Sequence, residues 1–148
     1  GWNSTPVPAA EFGARVDTLR DACARVGRPF EEVEISVELQ ILLAADEAGL
    51  RSNLGHLVRT AERHGGDPDQ AWRTYAERGG DRPSLPHSTV FGTPLEVATQ
   101  LQAYVGKGAT HFLLWFLDAP LETGMRLFAS EVAPRLRALG AGSEEAPR

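Results

Sequence analysis

Cysteine is almost missing from this chain. Cys23 stands alone among 148 residues. A lone cysteine excludes an internal disulfide framework and fits a reducing compartment, so a cytoplasmic location is expected. Long hydrophobic runs are also missing. The longest apolar stretches are strand-sized, and neither a membrane span nor a signal-peptide pattern is read. Basic charge is in short supply: 15 Lys and Arg face 20 Asp and Glu, a net charge of -5 with no basic stripe. That balance argues against a nucleic-acid partner. No His, Cys or carboxylate cluster has metal-ligand spacing, so no metal is expected. Neither a Gly-x-Ser-x-Gly elbow nor a nucleotide-binding glycine fingerprint is found.

What is there suits one domain with a real core. Hydrophobic residues make up 42% and charged residues 24%, ordinary for a globular chain of this length. The chain opens on Gly1-Trp2-Asn3-Ser4-Thr5-Pro6 without a Met. Such an opening reads as the end of an element, and a piece of a longer protein is expected.

Phe12, Val16, Leu19, Cys23 and Val26 fall at helical spacing, with Ser4 or Thr5 as candidate caps and Gly27-Arg28-Pro29 as the stop. Val33, Ile35, Val37, Leu39 and Ile41 then alternate with Glu34, Ser36, Glu38 and Gln40. Period two predicts a strand with one partly polar face. That face is either wet or lines a polar interior. A helix is predicted from about Asp46 to His64 and a shorter one from about Asp69 to Arg78. A Gly- and Pro-rich loop follows at Arg78-Gly79-Gly80 to Ser88.

Thr93-Pro94-Leu95-Glu96 has a cap residue, proline at the first helical position and Glu three residues after the cap. This is a capping box, which accounts for the motif without a ligand; phosphate at the same amides is the less favoured reading. Val97, Leu101, Tyr104 and Val105 give this helix its apolar face. Phe112 to Leu117 is apolar without alternation, as a strand buried on both faces would be, which makes Trp115 a core residue and His111 structural. Asp118 reads as a turn former. Leu127, Val132 and Leu136 mark the last helix, which Pro134 kinks or breaks. Alternating strands and helices imply an α/β fold with parallel strands.

The segments "GWNSTP…EFGARVDTLRDACARVGR…EISVELQILLA" and "FGTPLEVATQLQAYVGKGATHFLLWF", closed by "FASEVAPRL", resemble luciferase-like monooxygenases. This is a family of flavin- or deazaflavin-dependent oxidoreductases built on the TIM (β/α)8 barrel. The resemblance implies that residues 1–140 are the C-terminal (βα)6–8 part of such a barrel. It makes 46–86 a helical insertion and leaves 141–148 as a flexible tail. Gly1-Trp2 would end the sixth strand, Ile35 to Leu43 would be the seventh and Phe112 to Leu117 the eighth.

The resemblance further implies a coenzyme, either FMN or an F420-type deazaflavin, and a small organic substrate. Trp2, Asn3, Ser4 and Thr5, just past a strand end, are the implied cofactor-lining residues, since barrel chemistry sits at the C-terminal ends of strands. His87 is a further cofactor candidate, although an exposed loop histidine is the simpler reading. Val7 and Pro8 stand where deazaflavin relatives place a phosphate-binding lysine. No catalytic residue is assigned. Such a portion is expected to be inactive alone, with open sheet edges that invite a homo-oligomer. The alternative from a different class is a stand-alone α/β interaction module without a cofactor.

Overall fold

In the computed structural model, which describes residues 1–86 and 89–141, four parallel strands form one sheet centred on β2. The strands are β1 (Trp2–Ser4), β2 (Ile35–Leu43), β3 (Thr89–Gly92) and β4 (His111–Phe116). Six helices connect or flank them: α1 (Ala9–Val26), α2 (Glu47–Arg63), α3 (Gln70–Arg78), α4 (Pro94–Val105), α5 (Thr123–Leu127) and α6 (Ala133–Ala141). The expected residues 142–148 of the tail lie outside the described residues, as does His87.

Register fixes the strand positions. Ser36 and Val37 of β2 pair both with Asn3 and Ser4 of β1 and with His111 and Phe112 of β4. Gln40 and Ile41 pair both with β3 and with β4. A strand has two edges, so β1 and β3 lie end to end along one edge of β2, and β4 runs along the other. The expected trio of Trp2, Ile35–Leu43 and the last strand as parallel neighbours is therefore present. β3 adds a short strand between the insertion and α4.

Period two on β2 splits the sheet into unlike faces. Ile35, Val37, Leu39, Ile41 and Leu43 are all at most 2% exposed and pack against α1, α4 and the last helices. Phe12 and Val16 of α1, Val97 and Leu101 of α4, and Val132 complete this core. Burying each such side chain contributes on the order of 1.5–3 kcal/mol, so the helix-side core dominates the fold.

The other face carries Ser36, Glu38 and Gln40, and it is open. Here the expectation for the last strand fails. β4 alternates between exposed and half-buried residues, with Leu113 46% and Trp115 63% exposed. Trp115 is not core and His111 is exposed. The reason is pairing: Leu113 and Trp115 sit beside Glu38 and Gln40 on the part of that face that no helix covers, short of Leu42, which α2 and α3 bury.

Helix ends follow local chemistry, with one correction. Asp46 accepts from the Gly49 amide and Asp69 from the Ala71 amide, capping α2 and α3. Gly27 ends α1 at φ 67, with the Arg28 amide on the Cys23 carbonyl. Ser4 and Thr5, by contrast, do not cap α1. Pro8 occupies its N-cap, so the helix starts later than those hydroxyls can reach. Val26 and Val105, placed on apolar faces by spacing, are exposed at helix C-terminal ends. Between α5 and α6 the chain makes a π-turn, Phe128–Val132, where the Ala133 amide bonds the Phe128 carbonyl just before Pro134. The disturbance expected at Pro134 takes this form.

Candidate functional site

Three features of the sheet are candidates for a site. The first is the rim after β1. Ser4 is 1% exposed, and its hydroxyl donates to the Thr5 carbonyl at 2.9 Å. Arg15, two turns into α1, reaches back and donates to Ser4 Oγ at 3.2 Å and to Thr5 Oγ1 at 3.0 Å. Its other nitrogen meets Glu11 at 2.8 Å. A guanidinium fork is suited to fixing several oxygens at once. Arg15 thus orients both hydroxyls.

The second feature is the open face. Ser36 donates to Asn3 Oδ1 at 2.8 Å, and Thr89 meets Gln40 Oε1 at 3.3 Å. Leu113 and Trp115 stand beside them. The face is a wall of amides and hydroxyls next to exposed apolar surface.

The third feature is a cover. α2 and α3 fold over the C-terminal end of this same face, where Leu42, Leu54 and Tyr75 are buried together, with Trp72, Phe91 and Leu117 packed against them. A polar network ties the cover down. The Tyr75 hydroxyl donates to Glu47 Oε1 at 2.5 Å. Arg82 donates to Glu47 Oε2 through Nε at 2.9 Å and Nη2 at 2.5 Å, and through Nη1 to Glu96 Oε1 at 2.8 Å. Glu96 in turn accepts the Thr93 amide at 2.8 Å and the Thr93 hydroxyl at 2.7 Å, so the capping motif serves the latch as well as its helix.

The charges respond to these contacts. The Thr93 amide and hydroxyl, with Arg82 behind them, hold the Glu96 carboxyl down to about 2. The hydrogen bonds from Arg82 and then Tyr75 hold Glu47 below its usual value. Burial, and then the Glu47 carboxylate, push the Tyr75 phenol up to about 12. At neutral pH the network is therefore two carboxylates, one guanidinium and one neutral phenol.

Beside the cover, at the ends of β2 and before α5, lies a cavity of about 840 Å3 lined by Ala44, Asp46, Gly49, Asn53, Arg126 and Leu127 among others. Asn53 donates to the Leu43 carbonyl at 3.0 Å and closes the strand end. Gly49 is required by close approach, since a Cβ there would stand 2.8 Å from that of Ala44.

The structure sorts the described sequence candidates into two pairs, Trp2 and Asn3 beside a small cavity with Ser36 and Leu113, and Ser4 and Thr5 on Arg15. Asn3 faces the open wall. Ser4 and Thr5 form the rim with Arg15. Trp2 turns to the helix side and packs against Phe12, with ring centroids 6.2 Å apart. None of the four lines the 840 Å3 cavity. Arg15 and Arg82 were missed. The Glu11–Arg15 spacing of four was a visible signal for the first; Arg82 sits in a Gly- and Pro-rich loop and gave none. Asp118 is more than a turn former: 2% exposed, it accepts the Gly124 amide at 2.8 Å. Among the described residues no group of three His, Cys, Asp or Glu side chains is placed to hold a metal ion, and no helix is long and apolar enough to cross a membrane.

Parallel strands, one face packed on helices along its length and an opposite face covered by α2 and α3 only at its C-terminal end describe an arc of a barrel wall, and solved structures agree. The coenzyme F420-dependent tetrahydromethanopterin reductase from Methanopyrus kandleri superimposes with a TM-score of 0.58 at 16% identity, over 90% of this chain and 44% of that one. The fold is that of a partial luciferase-like barrel. A riboflavin lyase solved with modified FMN and riboflavin matches this partial barrel with a TM-score of 0.53 at 16% identity, over 95% of this chain and 39% of its own. A long-chain alkane monooxygenase matches with a TM-score of 0.57 at 19% identity, over 93% and 37%. The chain thus spans 37–44% of the length of these structures. At such identities the likeness establishes the fold. No family model and no curated protein matches the sequence.

Proposed function

We propose that this partial barrel is the (βα)6–8 portion of a cytoplasmic, luciferase-like oxidoreductase that uses a reduced flavin or deazaflavin against a small organic substrate. Residues 1–140 are that portion, with residues 46–86 as its insertion. The observation that carries the reading is the open stretch of one face: β1, β2 and β4 run side by side with α1, α4 and the last helices on one side and, among the described residues, nothing over Ser36 to Gln40 on the other, as neighbouring barrel strands do.

The open face suits a flat ring with polar edges. Asn3, Ser36 and Gln40 offer hydrogen bonds, and Leu113 and Trp115 offer apolar contact. Thr5, aligned by Arg15, would meet the cofactor's polar side chain, with the buried Ser4 holding Arg15 from beneath, and α2–α3 would shield the mouth from water. A reduced flavin or deazaflavin, when bound, supplies hydride or activates oxygen. The chain's own work is to orient the ring and exclude solvent. His87 remains a candidate contact, Trp2 acts through packing, and the chain alone turns over nothing.

Titration of FMN and of coenzyme F420 into the polypeptide that completes the barrel, followed by fluorescence, tests this. Saturable binding of one of them is expected; binding of neither overturns the assignment. The 63% exposure of Trp115 also favours a second reading, a cofactor-free interaction module or a homo-oligomer joined through this face and its edges. That reading predicts a well-behaved chain with a protein partner and no response to either cofactor.

A further inference from the structure

The helical insertion holds a second cleft that plays no part in the proposed barrel chemistry. It lies between α2 and α3, has a volume of about 270 Å3, and is lined by Arg51, Arg59, Arg73, Glu62, Glu77 and Gly55 among others. The three guanidiniums are in different states. Arg73 is fully engaged, with Nε on Glu62 at 2.9 Å and Nη2 on Asp67 at 2.8 Å. Arg51 is not. Its Nη2 touches the Glu77 carbonyl only at 3.4 Å, and its Nε is buried without any hydrogen-bond partner. Among the described residues, neither Arg51 nor Arg59 has a carboxylate partner within ion-pair distance.

A buried N–H with no acceptor is rare in native proteins, and an ion or water commonly accounts for it. Each guanidinium lies against a glycine. A Cβ on Gly79 would stand 3.4 Å from Arg51 Nη1, and one on Gly55 would stand 3.2 Å from Arg59 Nη1. At Gly79 the backbone also has φ 75, which favours glycine there. Two arginines with spare donors, Arg51 half-buried with its Nε fully covered and Arg59 exposed, lie in one cleft between helices.

We propose that this cleft binds an oxyanion, a phosphate or carboxylate group held between Arg51 and Arg59. The guanidinium fork matches both groups, and charge-assisted bonds to it are the strong ones. Glu62 is paired with Arg73, which it shares with Asp67, and the exposed Glu77 carboxylate is not within ion-pair distance of Arg51 or Arg59. The proposal is independent of the oxidoreductase reading.

The test is thermal melting of the chain in sodium phosphate and in sodium acetate, each against sodium chloride at equal ionic strength. A saturable rise of about 3–5 °C is expected at ten times the dissociation constant. A rise with phosphate alone assigns a tetrahedral anion, and a rise with acetate assigns a carboxylate. R51Q and R59Q should each abolish it. Should R51Q fail to fold, the Arg Nε–H signals of the labelled wild-type chain give the second readout, with the Arg51 signal moving on phosphate addition. Identical melting in all three salts, or a rise that survives in the R51Q/R59Q double variant, overturns the proposal.

Discussion

Replacing Tyr104 with Phe removes one oxygen from the core and leaves its ring in place. In the native chain the Tyr104 hydroxyl donates to the Val7 carbonyl at 2.8 Å, across 97 residues of sequence. Tyr104 is 6% exposed and Val7 7%. The ring lies 5.7 Å from Phe12 and 6.5 Å from Phe112, contacts that phenylalanine keeps. The Val7 carbonyl has no second partner among the described residues. The variant therefore strands a buried acceptor, which costs about 1–3 kcal/mol. For a domain of this size that is a fall in Tm of roughly 3–8 °C.

The bond also anchors the segment between the Asn3–Thr5 rim and α1, so amide exchange near Phe12 should quicken. Tyr104→Leu adds the loss of ring packing and should cost distinctly more, toward about 3–5 kcal/mol. Burial raises the Tyr104 pKa, so its phenol favours the neutral form. Its contribution is complete below the unfolded pKa of 10.0 and is lost as pH climbs through the raised folded value. The Phe variant should show a smaller alkaline loss. A cost below about 0.5 kcal/mol by urea titration, or equal losses for Phe and Leu, would refute the reasoning.

The latch gives a second alkaline and an acid signature. Tyr75, pushed up to about 12, contributes fully below pH 10.0 and loses that contribution as pH rises toward 12, so Tyr75→Phe should flatten this limb in a melt series. Glu96, held down to about 2, contributes fully above its usual 4.5 and progressively less as pH falls toward 2; Glu96→Gln should remove that acid limb. Arg82→Met should lower Tm by roughly 2–4 °C in dilute buffer and by less in 1 M salt, because its partners are partly exposed. Gly49→Val should cost about 1–3 kcal/mol in chemical denaturation through its clash with Ala44. Trp115→Ser should change the stability of the chain by less than about 0.5 kcal/mol, and a large loss would show that its face is covered.

Much of the fold could be read from local pattern. Alternation at Val33–Ile41 gave β2 and its polar face, and Asp46, Asp69 and Thr93 marked helix starts because caps act over three residues. Hydrophobicity misled at Leu113 and Trp115, since an apolar residue on a sheet is buried only if something covers it, and that is a property of the whole fold. Ser4 and Thr5 were read as caps because their type is right, but Pro8 moved the helix start beyond them. The site was less legible still. Arg15 and Arg82 act across turns and loops, and the 840 Å3 cavity is bounded by elements far apart in sequence.

The π-turn at Phe128–Val132 sets a rule for length. It holds one residue more than an α-helix needs over the same rise, and downstream of it Leu136 still reaches the core that buries Val132. Removing a single residue there, Ala129 for example, would take out the extra one and restore regular winding with Leu136 still turned toward the core. The cost would fall on Pro134, whose ring would then press into an intact α-helical turn. The final helix should therefore accept a shortening at this turn only together with a replacement of Pro134.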